Sequence, residues 1–238
     1  MSITLTLTGK SSVLRSTHLP ALSLDGAWSV GLVDFQTYNS IPNVDECNNK
    51  FTYARLSEDV KTMDVPSTLT IPVGSYEVND IAETLRKMMH KDIDFELYGN
   101  RNTLTCVMKC SADVDFSQTG SIGAMLGFEQ KVYKANMTHV SSKPVNILSV
   151  NVVRINCNLV GSTYLNGRPT STVHEFSIVV PPGFKIVEVP KTIIYAPVII
   201  DSVGEVVVSI IDQDGRLVNF RNEEITLRLH LKRWGYNS

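Results

Sequence analysis

The sequence contains no apolar run approaching the roughly 20 residues that a membrane-spanning helix needs, so membrane insertion is not expected. Its start, MSITLTLTGKSSVLRS, alternates Thr with Ile and Leu and has neither the basic nor the long apolar segment of a secretory signal. Cysteine is scarce, with four residues at Cys47, Cys106, Cys110 and Cys157, too few and too scattered to staple a chain of 238 residues. Reduced, mostly buried thiols and a reducing intracellular compartment are the expectation. An excess of charge of one sign is missing too. The formal net charge is −2, which offers no electrostatic grip on nucleic acid or anionic lipid, and no specific nucleic-acid binding is expected. Tryptophan occurs only twice, at Trp28 and Trp234. What is present, 43% hydrophobic and 19% charged residues, describes a soluble globular protein and excludes a disordered chain.

The motifs of common catalytic centres are also missing. The run Gly120-Ser121-Ile122-Gly123 lacks the G-x-S-x-G spacing that exposes a serine above a sheet. Neither a Walker A loop nor a dinucleotide glycine fingerprint occurs. His174-Glu175 has no second His four positions after the first, as a zinc-protease helix requires. Counted as a calcium loop, Asp212 and Asp214 fill positions 1 and 3 and Glu223 position 12, but Leu217 stands where the turn needs glycine. A charged hairpin turn is the expected reading there. Cys106 and Cys110 fall on one face of an expected strand, roughly 13 Å apart, too far for a disulfide or a shared ion. The five histidines are dispersed. The chain is therefore read as a non-enzyme, with no catalytic residue, no metal, no cofactor and no small-molecule substrate.

The pattern that is present is β. Val, Ile and Thr make about a quarter of the residues, a composition suited to pleated, half-buried surfaces. Alternating or apolar runs predict strands at 3–7, 28–35, 51–56, 68–71, 93–97, 104–108, 145–159, 175–180, 185–189, 192–200, 206–211, 217–220 and 225–231. Turn signals lie between them at Asp25-Gly26, Gly99-Asn100, Asn166-Gly167, Pro181-Pro182-Gly183 and Asp214-Gly215. One helix is expected, over 78–89, where Val78, Ile81, Ala82, Leu85, Met88 and Met89 form a single stripe. Asp80 and Glu83 precede Arg86 and Lys87 on its other face, as the helix dipole favours. A shorter helical turn is expected over 122–126. Composition does not shift along the chain, so one domain is expected over 1–238. Many short strands with long connections and one inserted helix predict an all-β single jelly-roll sandwich of two antiparallel sheets rather than an up-and-down barrel.

Two surface features stand out. Val206, Val208 and Ile210 face one way and Val207 and Ile211 the other, and Val152-Val153 and Ile199-Ile200 repeat the theme. Sandwich strands usually solvate one face, so either internal cover or a subunit interface is implied. In the last strand Ile225, Leu227, Leu229 and Leu231 alternate with Thr226, Arg228, His230 and Lys232, followed by Arg233 and Trp234. That basic stripe reads as a solvated face, with an acidic neighbour or nucleic acid as the other reading.

Several motifs, in order, carry a resemblance. They are Phe35-Gln-Thr-Tyr-Asn-Ser-Ile-Pro-Asn43, Asn48-Asn-Lys-Phe51, Ile71-Pro-Val-Gly-Ser-Tyr76 and Leu126-Gly-Phe128. The second half adds Val180-Pro-Pro-Gly-Phe-Lys-Ile186, Ile194-Tyr-Ala-Pro-Val198, Ile211-Asp-Gln-Asp-Gly-Arg-Leu217 and Ile225-Thr-Leu-Arg-Leu-His-Leu231. Together they resemble the capsid proteins of Polinton (Maverick) elements and adintovirus-like viruses. That family has a double jelly-roll major capsid protein and a smaller single jelly-roll penton, or minor capsid, protein. A chain of 238 residues has room for one roll plus insertions. The resemblance thus implies a penton in the virion, a homopentamer at icosahedral vertices, partnered by the double jelly-roll major capsid protein. The alternative from fold alone is a carbohydrate- or receptor-binding jelly roll of lectin or TNF type.

Overall fold

A computed structural model of the chain describes residues 1–55, 65–161 and 163–234. Strand makes 46% of it and helix 6%, so the protein is all-β. The first strands are β1 (Ser2–Gly9), β2 (Val13–Ser23) and β3 (Trp28–Tyr38). The middle of the chain holds β4 (Lys50–Ala54), β5 (Ser67–Thr70), α1 (Val78–Met88), β6 (Phe95–Gly99), β7 (Cys106–Cys110), β8 (Asp113–Asp115), β9 (Val132–Tyr133) and β10 (Thr138–Val140). The remainder is β11 (Val153–Cys157), β12 (Thr163–Leu165), β13 (Arg168–Thr170), β14 (Thr172–Phe176), β15 (Lys185–Glu188), β16 (Ala196–Pro197), β17 (Ser202–Ile211) and β18 (Ile225–Arg233). Two compact units result, Met1–Ile41 with Val150–Ser238, and Pro42–Ser149. The buried apolar residues fall into two clusters that follow the same division.

The unit formed by residues 1–41 and 150–238, termed outer because it flanks the other (inner) unit in sequence, is a jelly roll. One sheet runs β1-β18-β3-β15, with β16 also on β3, and the other β14-β11-β17-β2. Every pairing in both is antiparallel. Counting the eight main strands in chain order, the first pairs with the eighth, the second with the seventh, the third with the sixth and the fourth with the fifth. That is a long double ribbon of antiparallel strands rolled up on itself, the double Greek key that produces two facing sheets. Leu5 and Leu7, Val30 and Leu32, Val153 and Ile155, and Val206, Val208 and Ile210 fill the space between them. Ile225, Leu227, Leu229 and Leu231 are each fully buried there, and the alternation read from the sequence is the alternation of the strand. On β3 the parity changes midway: Arg228 lies opposite Asp34 but Leu229 opposite Leu32, leaving Val33 as an extra residue. This bulge lets Leu32 and Phe35, three apart, both face the core.

The inner unit, residues 42–149, enters the chain between β3 and β11. It has sheets β10-β7-β6 and β5-β4-β8-β9. Its core is aromatic: Phe51 meets Phe95 at 5.4 Å and Phe116 at 5.8 Å, both edge-on, and Phe128 meets Tyr133 at 5.2 Å. Helix α1 covers β6 with Val78, Ile81, Ala82 and Leu85, while Met88 turns outward. The Glu77 N–H donates to the Asp80 carboxylate at 2.9 Å, which caps the first turn. The expected helical turn is a 3-10 turn over Ile122–Ala124. Gly123 allows it, since a Cβ there would sit 2.5 Å from the Phe116 ring.

Other expectations were displaced locally. The run 145–159 narrows to β11, and 192–200 to the two residues of β16, which lies between Pro190 and the Pro197 it contains. The strand expected over 51–56 is β4, and Leu56 lies outside the described residues. β2 was missed altogether. It contains Pro20, which a central strand rejects, but β2 is the edge of its sheet, where a missing N–H breaks no ladder. Asn166 and Gly167 both have positive φ, 50° and 78°, and close the β12–β13 hairpin as the dipeptide implies.

Candidate functional site

The motifs that carry the resemblance turn out to hold one another. The Asn39 amide donates to Val180 O at 2.8 Å, the Gly183 N–H to Asn39 O at 2.7 Å, and the Asn39 N–H to Phe184 O at 2.8 Å. The first motif and the Pro181-Pro182-Gly183 turn are thus one clamp. Asn43 does the same for the inner unit: its amide donates to Tyr76 O at 2.7 Å and its oxygen accepts the Tyr76 N–H at 2.9 Å. The Asn49 side-chain amide donates to Ile71 O at 3.1 Å, and the Asn49 backbone carbonyl accepts the Ile71 N–H at 2.8 Å. Gly127, at φ +83°, sits against Lys143 O, which a Cβ would approach to 2.1 Å. These are positions where a side-chain amide replaces a backbone ladder or where only glycine fits, so their chemistry is structural.

The candidates for chemistry stay apart. Asp212 is buried, and its Oδ1 accepts the N–H of Asp214 at 2.8 Å and of Arg216 at 2.9 Å, while Oδ2 accepts Arg216 Nε at 2.9 Å. Burial alone raises its pKa, but the Arg216 N–H and guanidinium and the Asp214 N–H outweigh it and hold the carboxyl below its usual range. The loop is a self-satisfied hairpin turn. His174 Nε2 lies 2.9 Å from Glu188 Oε1, joining the edge strands of the two sheets of the roll. Cys106 and Cys110 both point into the inner core, as their spacing implies; burial pushes Cys106 up to about 12 and raises Cys110. Cys157 is likewise pushed up to about 11 by burial, and Cys47 is exposed. Among the described residues no three of His, Cys, Asp and Glu are grouped to hold a metal, and no helix is long and apolar enough to cross a membrane.

The basic stripe is engaged on the outer face of the β1-β18-β3-β15 sheet. Arg228 Nε donates to Asp34 at 2.7 Å, across the strand pair. His230 Nδ1 lies 2.7 Å from the Tyr195 hydroxyl, and Lys232 stands 5.0 Å from the Trp234 ring. Trp234 Nε1 donates to Ser29 Oγ at 2.6 Å. The segment bearing Tyr195 lies directly on this face because β3 has Gly31 there; a Cβ would come within 2.4 Å of Ile193. The stripe therefore fastens residues 193–195 and Trp234 to the sheet, a role that alternation alone cannot disclose.

Open apolar surface lies elsewhere than expected. Of the strands read as two-faced, Val206, Val208, Ile210 and Val153 are buried, and Val207, Ile211, Val152 and Ile200 are half-buried. Only Ile199 of that set is well exposed, at 59%. A larger patch runs along β15. Val187 lies opposite Gln36 and Lys185 opposite Tyr38 on the outer face, and Val189 continues the row. Tyr38 is 48% exposed, Val187 54% and Val189 61%. Ile194, 74% exposed, has its carbonyl on the same face against Gly31. The Val187-Glu188-Val189 alternation marked a strand in the sequence but did not say which valine faced solvent.

No protein-family model matches the chain, and no curated protein does. The fold is an eight-strand jelly roll carrying an inserted second unit. Among solved structures the chain is similar to the selenomethionine-labelled mavirus penton protein, with a TM-score of 0.50 at 11% identity, over 98% of this chain and 99% of that one. At that identity the likeness is one of fold, and it spans both units.

Proposed function

We propose that the chain is a structural capsid protein, the penton of a Polinton- or adintovirus-like particle, resident in the virion. The observation that carries this reading is an eight-strand jelly roll plus insertion that parallels a penton protein over nearly the full length of both chains. On this reading residues 1–238 act as one capsid-type module, made in a reducing compartment, with no catalytic step, metal or cofactor. Five copies close a ring by repeating one heterologous contact, and the double jelly-roll major capsid protein surrounds it. The row Tyr38, Val187 and Val189 supports the ring, because obligate interfaces bury apolar surface that a monomer leaves wet.

Light scattering tests it. The wild-type chain is expected near five times 26.4 kDa, alone or once the major capsid protein is added. Val187→Asp with Val189→Asp is expected to give a folded monomer. A wild type that stays monomeric at high concentration and does not assemble with the major capsid protein would overturn the reading. A pentamer unaffected by the double substitution would move the interface to another flank.

A further inference from the structure

The inner unit has an open hollow of about 680 Å³ between the end of α1 and the β6–β7 pair. Its polar wall is Arg86, Asp94, Glu96, Lys109, Ser111 and Asn136, and buried Phe95 and Cys110 form its floor. The backbone around it is pinned. Glu96 faces Lys109 across the strand pair, the Asp94 N–H donates to Ser111 Oγ at 3.0 Å, and the Ser111 N–H returns to Asp94 O at 2.9 Å. Arg86 Nε donates to Phe95 O at 3.0 Å. Asn136 is held at φ +58° with its N–H on Cys110 O at 2.7 Å. Among the described residues, the exposed side chains of Asp94, Glu96, Lys109 and Asn136 are in no ion pair or hydrogen bond, so their polar groups are available to a ligand at this open recess.

The chemistry of that wall selects a ligand class. Two cations and two carboxylates balance, so neither a phosphate nor a metal ion finds a net field. Donors and acceptors are mixed instead: an ammonium faces a carboxylate across the strand pair, and an amide and a hydroxyl belong to the same lining. A sugar hydroxyl, donor and acceptor at once, satisfies both kinds. Beside the recess lies an apolar shelf. Tyr98 follows Glu96 on the same outward face of β6, about 7 Å along the strand, and is 49% exposed. Val107 sits opposite Tyr98, and Val140, 58% exposed, sits opposite Val107. An exposed aromatic next to unpaired polar groups accepts the C–H face of a pyranose while its hydroxyls turn toward the charges.

We propose that this recess and the Tyr98 shelf form a binding site for a neutral oligosaccharide, with one sugar ring on Tyr98 and the hydroxyls of its neighbour held by Glu96, Lys109 and Asn136. The site is additional to the capsid role and does not depend on it. The full-length protein would be titrated with chitotriose, maltotriose and lacto-N-tetraose, and with a sulfated heparin tetrasaccharide for contrast, using saturation-transfer NMR and calorimetry. At least one neutral probe is expected to bind, shifting wild-type amide signals around Glu96, Lys109 and Asn136. Glu96→Ala or Lys109→Ala should weaken it about tenfold, as loss of one charge-assisted hydrogen bond does. Tyr98→Ser should abolish it, and Asn136→Gly, which keeps the left-handed backbone, should weaken it. The wild-type shift map needs no variant to fold. Absence of binding by all three neutral probes would overturn the proposal. So would shifts confined to other residues, equal binding by Tyr98→Ser and the wild type, or salt-sensitive binding of the sulfated probe alone.

Discussion

Replacing Asp212 isolates the turn that the sequence offered as a calcium loop. Its carboxylate takes two backbone N–H groups and the Arg216 guanidinium, at 2.8 to 2.9 Å. The Arg216 side chain is 67% exposed, so its ion pair is screened and contributes little. The two N–H groups remain, each worth about 1 kcal/mol net once water competes, with some extra for the charge of the acceptor. Asp212→Ala should therefore cost about 2–3 kcal/mol, and Asp212→Asn, which retains one acceptor oxygen, about 1 kcal/mol. The pH dependence has a definite sign. The folded carboxyl titrates below its unfolded value, so its stabilisation is complete above the ordinary carboxylate pKa of about 4 and is lost as pH falls through the lower, folded pKa. The deficit of Asp212→Asn should be full at pH 7 and shrink toward zero on acidification below about pH 4. Urea denaturation followed by tryptophan fluorescence reads the correct part of the molecule, because Trp28 and Trp234 both belong to the outer unit with Asp212. With an m-value of about 1–3 kcal/mol per molar, the Ala variant should lose about 0.7–3 M in midpoint. A loss under about 0.5 kcal/mol, or an Asn deficit equal at pH 3 and pH 7, would refute the assignment. A wild-type midpoint lowered by chelator would return the loop to the cation sites.

The remaining predictions concern the thiols and one glycine. At pH 8 a disulfide reagent should label one cysteine of the native protein, exposed Cys47, and all four in urea, since burial raises the pKa of Cys106, Cys110 and Cys157. Two or more fast sites in the native protein would contradict the core. Gly127→Ala must place a Cβ in the left-handed region and 2.1 Å from Lys143 O, so it should destabilise the inner unit by about 2 kcal/mol or more. Hydrogen exchange at β7 and β8 measures this, and unchanged protection there would show that the 143–144 backbone yields freely.

Legibility in the sequence tracked the physical origin of each element. The helix and β18 were readable because a single burial pattern dictates each: the 3,4-spaced stripe of Val78 to Leu85, and the strict alternation of Ile225 to Leu231. β2 was unreadable because an edge strand needs neither a fully apolar face nor every N–H, which admits Pro20 and His18. The division into two units was hidden because the insertion is itself built of short apolar strands, so composition does not change at residues 42 and 149. The apolar row on β15 was hidden for another reason. Whether Val187 faces a core or solvent depends on its register with Gln36, and register is a tertiary fact.

A likeness of fold at 11% identity is what the physics of this architecture permits. In a jelly roll the sheets themselves demand only alternation, which many sequences supply. What is harder to replace is the closure of the long connections, where backbone groups leave the ladder and still need partners. Here Asn39 ties the end of β3 to the turn before β15, and Asn43 and Asn49 tie the start of the inner unit to residues 71–76. The Asn43 amide offers donor and acceptor together, so an apolar residue there strands two backbone groups, and at Asn39 or Asn49 one, at about 1–3 kcal/mol apiece. Short, ordered, individually weak motifs separated by freely varying strands are therefore what this architecture should leave in its sequence. The recognisable residues are those that close the fold, while the surfaces proposed to meet partners, the β15 row and the recess beside Tyr98, are set by register and carry no motif of their own.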